Sequence, residues 1–347
     1  MVYTDGMMCF SRIFLLSALC STIVFSGFPA LAGDKGDSPT TISVSIENDN
    51  FGGNSDRYYT SGVRLSWFNE GIDVPPVIDK MADRVPTFDL NETTSVYYTF
   101  GQNLYSPKNI RLEDQPQDDR PWAGFLYGSV GLSTTTWNAQ VPAHIDDLEF
   151  TLGVVGPEAL GKPTQRFVHR YFTGSPDPRG WKNQLDFEPG FIVSWQRRMP
   201  QAFSYDEGPF TFRIEPNFSI ALGNIYTYGG VGATFVLGSS LNEDTPPRVR
   251  PSIPGTGVFS KTDHGLNWQI FAGLDGRVVG RNIFLDGNTF SDSHSVDKKY
   301  LVGDASAGFS LSYDDYRLSY TLNARSNEFD TQDETSIFGS VTLTKRF

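Results

Sequence analysis

An all-β chain, closed into a transmembrane antiparallel β-barrel of about twelve strands with a short helix in an extracellular loop, is the fold the sequence predicts. Residues 337–347 put Ile337, Gly339, Val341 and Leu343 on one face and Ser340, Thr342, Thr344 and Arg346 on the other, then stop on Phe347. The same two-residue alternation recurs along the chain, and an apolar leader precedes it. One face of such strands meets lipid and the other a polar lumen, and closure leaves no unpaired edge.

The leader comes first. Arg12 precedes an apolar run from Ile13 to Phe28, and Ala30-Leu31-Ala32 supplies a small-x-small cleavage site before Gly33. Residues 1–32 therefore read as a removed secretory signal and residues 33–347 as the barrel, with Met7 or Met8 as an alternative start. As a membrane anchor the run is short, since a bilayer span needs roughly 20 apolar residues. Cys9 and Cys20 both lie in this leader, so the mature chain has no thiol chemistry. Removing Asp5 and Arg12 with it leaves the net charge at −12. That balance disfavours nucleic acid, and it implies that a divalent cation or local Lys/Arg clusters mediate contact with an anionic surface.

Four strands show the alternation directly. Leu148, Phe150, Leu152 and Val154 interleave with Glu149, Thr151 and Gly153; Phe210, Phe212, Ile214, Phe218 and Ile220 with Arg213, Glu215, Asn217 and Ser219. Leu266 to Asp275 and Tyr316 to Ala324 repeat it. Weaker versions at 41–48, 59–68, 94–103, 122–137, 188–199, 226–238 and 298–312, with the C-terminal strand, complete about twelve, an even number as bacterial barrels require. A soluble β-sandwich alternates too, but the leader and the terminal phenylalanine argue against it. So do Tyr97, Tyr98, Trp122, Trp195, Tyr226, Tyr228 and Trp268 near strand ends, where an aromatic girdle would sit.

Stretches 70–92, 105–121, 157–187, 240–264 and 278–297 read as long loops, expected on the extracellular side, and Asp314 and Gly223-Asn224 as tight turns, expected on the other. Thr164 to Phe172 has no Gly or Pro and predicts a short helix after Pro163, with Thr164 as its cap.

On that helix Gln165 and His169 are four residues apart and share a face. A histidine beside an amide is a usable general base with an oxyanion-binding neighbour, although solvated loop residues would show the same spacing. The first strand ends in Glu47-Asn48-Asp49-Asn50 before Phe51-Gly52-Gly53, a cluster of oxygen donors that suits Ca²⁺ and equally suits a polar turn. In the second strand Tyr59, Ser61, Val63, Leu65 and Trp67 form one face and Thr60, Gly62, Arg64 and Ser66 the other. Asn48 shares parity with Ile42, Val44 and Ile46 whereas Asp49 falls opposite, so a bulge or the strand's end must re-aim one of the pair. His144, His264 and His294 lie in loops without matching partners, and no nucleophile elbow, phosphate loop or zinc pattern is present.

Several segments together resemble a known family. They are Asn48-Asp49-Asn50, Asp56 to Gly62, Leu104-Tyr105-Ser106-Pro107, Asp119 to Gly124, Gly156-Pro157, Gln165 to His169, and Gly180-Trp181 with Asn183-Gln184. In this order they resemble the outer-membrane lipid A 3′-O-deacylase family of LpxR type, over most of residues 41–347. The resemblance implies an outer-membrane, twelve-stranded barrel that hydrolyses the 3′ acyloxyacyl ester of lipid A, in lipopolysaccharide of the outer leaflet. It also implies a Ca²⁺-dependent site between the wall and a loop helix. Carried over, it makes His169 the base that activates water, Gln165 its neighbour in substrate or oxyanion contact, and Asp49 a calcium ligand with Asn48 and Thr60 completing the site. The family's lysine after the Tyr-Ser-Pro element has no single counterpart here, where Lys108 or Arg111 would take its place against a lipid A phosphate. The barrel assembly machinery is the expected partner for insertion. Two other readings remain at this stage: a phospholipase-like barrel that uses a serine, and a non-enzymatic small barrel whose lumen is lined by Arg64, Arg213, Arg317, Glu215 and Asp275.

Overall fold

The computed structural model describes residues 39–52, 57–69, 74–138, 141–207, 210–239 and 265–347. The predicted leader, the 240–264 connection and His264 lie outside the described residues. One antiparallel sheet dominates, in the order β1 Thr40–Asn48, β2 Tyr58–Asn69, β3 Ser95–Ser106, β4 Ala123–Asn138, β5 Val141–Val155 and β6 Glu188–Arg198, continuing with β7 Phe203–Glu207. Then follow β8 Phe210–Gly223, β9 Tyr226–Gly238, β10 Leu266–Asn282, β11 Leu301–Tyr313, β12 Tyr316–Arg325 and β13 Ser336–Arg346. Pairing of β1 with both β2 and β13 joins the chain's two ends, and β6 with β8 completes the ring. Short β7 occupies the same edge of β8 as β6, beyond the break at 199–202, so the two make one position of a closed wall of twelve strands. The predicted strands correspond one for one to these positions; β7 was not predicted, because Pro200 and the turn around it interrupt the alternation.

Burial confirms which medium lies on each side. Along β8, Arg213, Glu215, Asn217 and Ser219 are buried while Phe210, Phe212, Phe218, Ile220 and Leu222 are exposed. The inside is polar and the outside apolar, the inverse of a soluble core. Inward charges are paired: Arg64 Nη2 lies 2.9 Å from Glu149 Oε2, Arg213 Nη2 3.0 Å from Glu215 Oε1, and Asp304 bridges Arg277 at 2.5 Å and Arg325 at 2.8 Å. At the upper rim, the end where Asn48 sits, the short helix α3 Ile283–Asp286 places Phe284 against Tyr105, with ring centroids 4.0 Å apart, and Arg120 lies 4.8 Å over the Tyr105 ring. The interior is thus filled by its own side chains, as expected at this strand number.

Strand parity corrects three sequence readings. Loop length does not decide the side: β2 and β3 are joined at the lower rim by a long segment holding α1 Pro76–Ala82, whereas Gly223-Asn224 turns at the upper rim. Direction reverses at each strand, so the count of strands fixes the end whatever the connection's length. The α1 segment folds back over the outward face, packing Ala82 and Phe88 on Val96, Leu132 and Leu148. Tyr97, Tyr226 and Tyr228 are buried rather than girdle residues, because their parity is inward: Tyr226 Oη meets Tyr105 Oη at 2.8 Å. Trp122 is buried too, under the upper loops. Among the described residues no helix is long and apolar enough to cross a membrane.

Replacing Glu149 by leucine should destabilise the barrel by about 3 kcal/mol, because Arg64 would stay buried beside a lost carboxylate. The pair Arg64→Met, Glu149→Leu should recover most of that loss in urea unfolding from micelles. Equal stability of parent and single variant would show that the pair is solvated.

Candidate active site on the outer wall

After β5 the chain leaves the upper rim through Gly156, whose φ of +106° and contact with the Asp186 backbone admit no side chain. Pro157 to Ala159 makes one 3-10 turn, Leu160 takes a left-handed φ of 58°, and helix α2 runs from Gly161 to Val168, widening to a π turn over His169–Thr173. The helix therefore begins a turn earlier than the sequence suggested, and Thr164 is not its cap. Pro163 sits in the first turn, where its missing N–H would have no intrahelical partner anyway.

This helix lies on the outside of the barrel. Leu104 and Gly124, paired across β3 and β4, have outward parity. A Cβ built on Gly124 would stand 3.2 Å from Ala159 Cβ and 3.3 Å from Gly161 Cα, so glycine lets the helix start press on the wall. Gln102 Nε2 donates to Ala159 O at 2.5 Å. Behind the helix, Trp181 packs on Trp122 with centroids 5.0 Å apart, and Gly161 and Gly180 leave room for the two indoles. These contacts tie loop 107–122 to segment 177–187, with Arg179 N donating to Ile110 O and Leu185 N to Trp122 O, both at 2.9 Å.

Gln165 and His169 both point from α2 into this covered space and are buried. Trp181 Nε1 donates to Gln165 Oε1 at 2.7 Å. Indole N–H only donates, so this bond fixes which end of the amide is oxygen. The other end, Nε2, is buried with no hydrogen-bond partner among the described residues. An unmet buried donor costs about 1–3 kcal/mol, and an acceptor on a ligand would relieve that cost. His169 Nδ1 lies 2.7 Å from Pro176 O. A carbonyl only accepts, so the neutral ring carries its proton on Nδ1 and its basic lone pair on Nε2.

A second cluster stands at the same rim on the same outer face. The end of β1 re-aims Asp49: Asn48 caps a 3-10 turn over Asp49–Phe51, its Oδ1 accepting from Asn50 N at 2.9 Å. Asn48 Nδ2 donates to Thr60 O at 3.1 Å, holding that turn against β2. In β2 a bulge between Tyr59 and Ser61 overturns the simple parity reading. Tyr59 turns inward and donates to Glu47 Oε2 at 2.6 Å, while the Thr60 hydroxyl bonds the Ser106 hydroxyl, two residues along the outward face from Leu104. The extra residue of a bulge is what transfers Thr60 from the polar inner set to the outer one. Asp49 is buried, with Oδ2 accepting from Arg57 N at 2.7 Å.

Among the described residues no group of three or more His, Cys, Asp or Glu converges. A cation near Asp49 would draw on its carboxylate together with hydroxyl, amide and backbone oxygens. That all-oxygen donor set fits a hard ion such as Ca²⁺ and not a thiolate or imidazole metal.

The two candidate phosphate cations separate. Lys108 Nζ is held by Asp333 at 2.5 Å and Glu334 at 3.5 Å, and this ammonium keeps the Asp333 carboxyl below the usual aspartate range. Arg111 is exposed, and among the described residues its guanidinium joins no ion pair. His294 Nε2 faces Asp119 O at 2.6 Å in the upper loops, and His144, on β5, pairs with Asp146 at 3.4 Å. Sequence reasoning did not assign roles to Ser106 and Trp181. Their signals were present, Ser106 at a strand end opposite Thr60, and Trp181 beside a glycine.

A closed antiparallel barrel with a loop helix clamped to its outer wall defines the class as an outer-membrane β-barrel whose covered polar site faces the lipid boundary. The sequence matches the family described as Outer membrane protein LpxR over residues 15–347, and the chain belongs to that family. LpxR from Salmonella typhimurium superposes with a TM-score of 0.72 at 21% identity, covering 88% of this chain and 99% of that one. The KdgM porin in complex with disordered oligogalacturonate gives 0.36 at 6% identity, covering 88% and 99%. No curated protein matches the chain.

A valine at Gly124 should lift α2 off the wall. Trypsin should then cut at Arg166 or Arg170 at least tenfold faster in the variant, with the barrel itself resistant; unchanged cleavage would mean that the helix does not rest on Gly124.

Proposed function

We propose that this protein is an outer-membrane lipid A deacylase that hydrolyses the 3′ acyloxyacyl ester by attack of a His169-activated water. The carrying observation is the buried, unpartnered Gln165 Nε2 on the same helix face as His169, whose Nδ1 is anchored on Pro176 O. One residue is poised to take a proton through Nε2. The other offers an N–H to the oxygen on which charge develops. Trp181 holds the amide in that sense by occupying Oε1.

Asp49, with Asn48, Thr60 and neighbouring backbone oxygens, would hold Ca²⁺, which when bound supplies positive charge to polarise an ester carbonyl. Asn48 does a second job, since its amide already braces the Asp49 turn on the Thr60 bulge. Family membership supports the lipid A assignment, and so does the position of the site on the outer wall, where an acyl ester just below the headgroups can reach it from the bilayer. A serine mechanism finds less support: the Ser106 hydroxyl is engaged by the Thr60 hydroxyl. The filled lumen argues against a pore. Insertion by the barrel assembly machinery follows from the same reading.

Lipid A from cells expressing the chain should lose its 3′ acyloxyacyl group by mass spectrometry. His169→Ala should slow this by about 10²–10⁴-fold and Gln165→Ala by about 10²-fold. Identical lipid A with parent and His169→Ala, both verified in the membrane, would end the proposal. Chelation by EDTA should abolish turnover of the purified barrel and added Ca²⁺ should restore it, while Asp49→Asn should raise the Ca²⁺ concentration needed; turnover indifferent to EDTA would remove calcium from the account. Labelling by a fluorophosphonate probe would instead favour the serine esterase.

A further inference from the structure

Along helix α2 and the π turn that follows it, residues four apart form four rows, and the proposed function uses only one. Gly161, Gln165 and His169 form the buried row. Adjacent to it, at the same four-residue spacing, Lys162, Arg166 and Arg170 are all exposed. On the far flank Phe167 and Tyr171 are 54% and 59% exposed, with ring centroids 5.1 Å apart. Successive members of a row stand about 6 Å apart along an α-helix, so the cations make a ridge about 12 Å long.

The ridge is unusual for this chain, whose net charge is −12. Between residues 157 and 176 the only acid is Glu158. Of the other loop cations at this rim, Lys108 is held by Asp333 and Glu334 and Lys182 by Glu113 and Asp114, while Arg111 joins no ion pair among the described residues. On the ridge, Arg166 alone has an acid partner, an exposed pair with Asp177 at 3.1 Å, and among the described residues Lys162 and Arg170 join no ion pair. An exposed pair of that kind contributes little and exchanges readily.

We infer that Lys162, Arg166 and Arg170 form a binding site for the phosphate groups of a phosphorylated glycolipid headgroup. The helix is clamped to the outward wall through Gly124 and Leu104, on the face that farther down exposes Phe100 and Leu152 to lipid. Its exposed cations and the neighbouring Phe167 and Tyr171 thus stand at the rim of that lipid-facing wall, and Tyr171 has the mixed character of rings that settle at a membrane interface. Guanidinium and ammonium groups match phosphate oxygens in charge and hydrogen-bond geometry. Because the ridge is the next row to Gln165 and His169, phosphates held there orient an ester of the same molecule over that row. This inference deepens the proposed function and rests on it for the identity of the ligand.

Binding without turnover tests it. The full barrel carrying His169→Ala, in micelles, is titrated with lipid A bearing its phosphates, with enzymatically dephosphorylated lipid A, and with phosphatidylglycerol. Adding Lys162→Gln, Arg166→Gln and Arg170→Gln should weaken binding of phosphorylated lipid A at least tenfold and flatten its salt dependence, leaving the dephosphorylated form unchanged. Lys162→Arg with Arg170→Lys should retain binding, which separates lost charge from a disturbed helix. Undiminished binding of phosphorylated lipid A would overturn the site, and equal losses for phosphatidylglycerol would overturn its assignment to a glycolipid. Neither result depends on whether the parent hydrolyses lipid A, so the ridge and the deacylase reading fail separately.

Discussion

Closure of the sheet through β1 and β13 is the constraint from which the rest follows. In lipid no strand edge can be left open, so the wall must be a ring, and a ring gives each residue one of two addresses, inside or outside. Inside, Arg64 and Glu149 or Arg277, Asp304 and Arg325 are removed from water and must satisfy one another. Outside, apolar side chains need no partner.

The candidate site exists because that two-address rule is broken at one place. A strand end turns Asp49 out of register, and a bulge brings Thr60 to the outer face beside Ser106. A hydroxyl and a carboxylate cannot remain on a lipid-facing wall uncovered, since burying polar groups without partners is costly. Helix α2 and the Trp122–Trp181 pair cover the neighbouring outward positions Leu104 and Gly124 of β3 and β4, and bring Gln165 and His169 to the same rim. Glycines at 124, 161 and 180 set how close the cover can lie.

Much of this architecture was legible from residue order. Alternation as regular as Phe210 to Ile220 or Tyr316 to Ala324 located its strands closely, and the four-residue spacing of Gln165 and His169 placed both on one helix face. Legibility failed where local geometry departs from a simple period. The bulge inverted the predicted addresses of Tyr59 and Thr60, and the interruption at 199–202 hid β7. Aromatic residues near strand ends looked like a girdle, yet Tyr97 and Tyr226 are inward because their parity, not their chemistry, decides. The clamp between Gly124 and the start of α2 joins segments that no short-range pattern relates. Lys108 looked free to grip a ligand until the β12–β13 loop supplied Asp333.

The most direct measurement of the central claim is a cross-link between wall and roof. Cys9 and Cys20 are the sequence's two cysteines, so with both replaced by serine, cysteines placed at Gly124 and Ala159 would be its only thiols. A Cβ on residue 124 lies 3.2 Å from that of Ala159, close enough for a disulfide after slight relaxation. Mild oxidation of intact outer membranes should join the two within one chain, seen as loss of both thiols to a maleimide label. Two thiols that stay reduced and label fully would place the helix away from the outer wall and contradict the account.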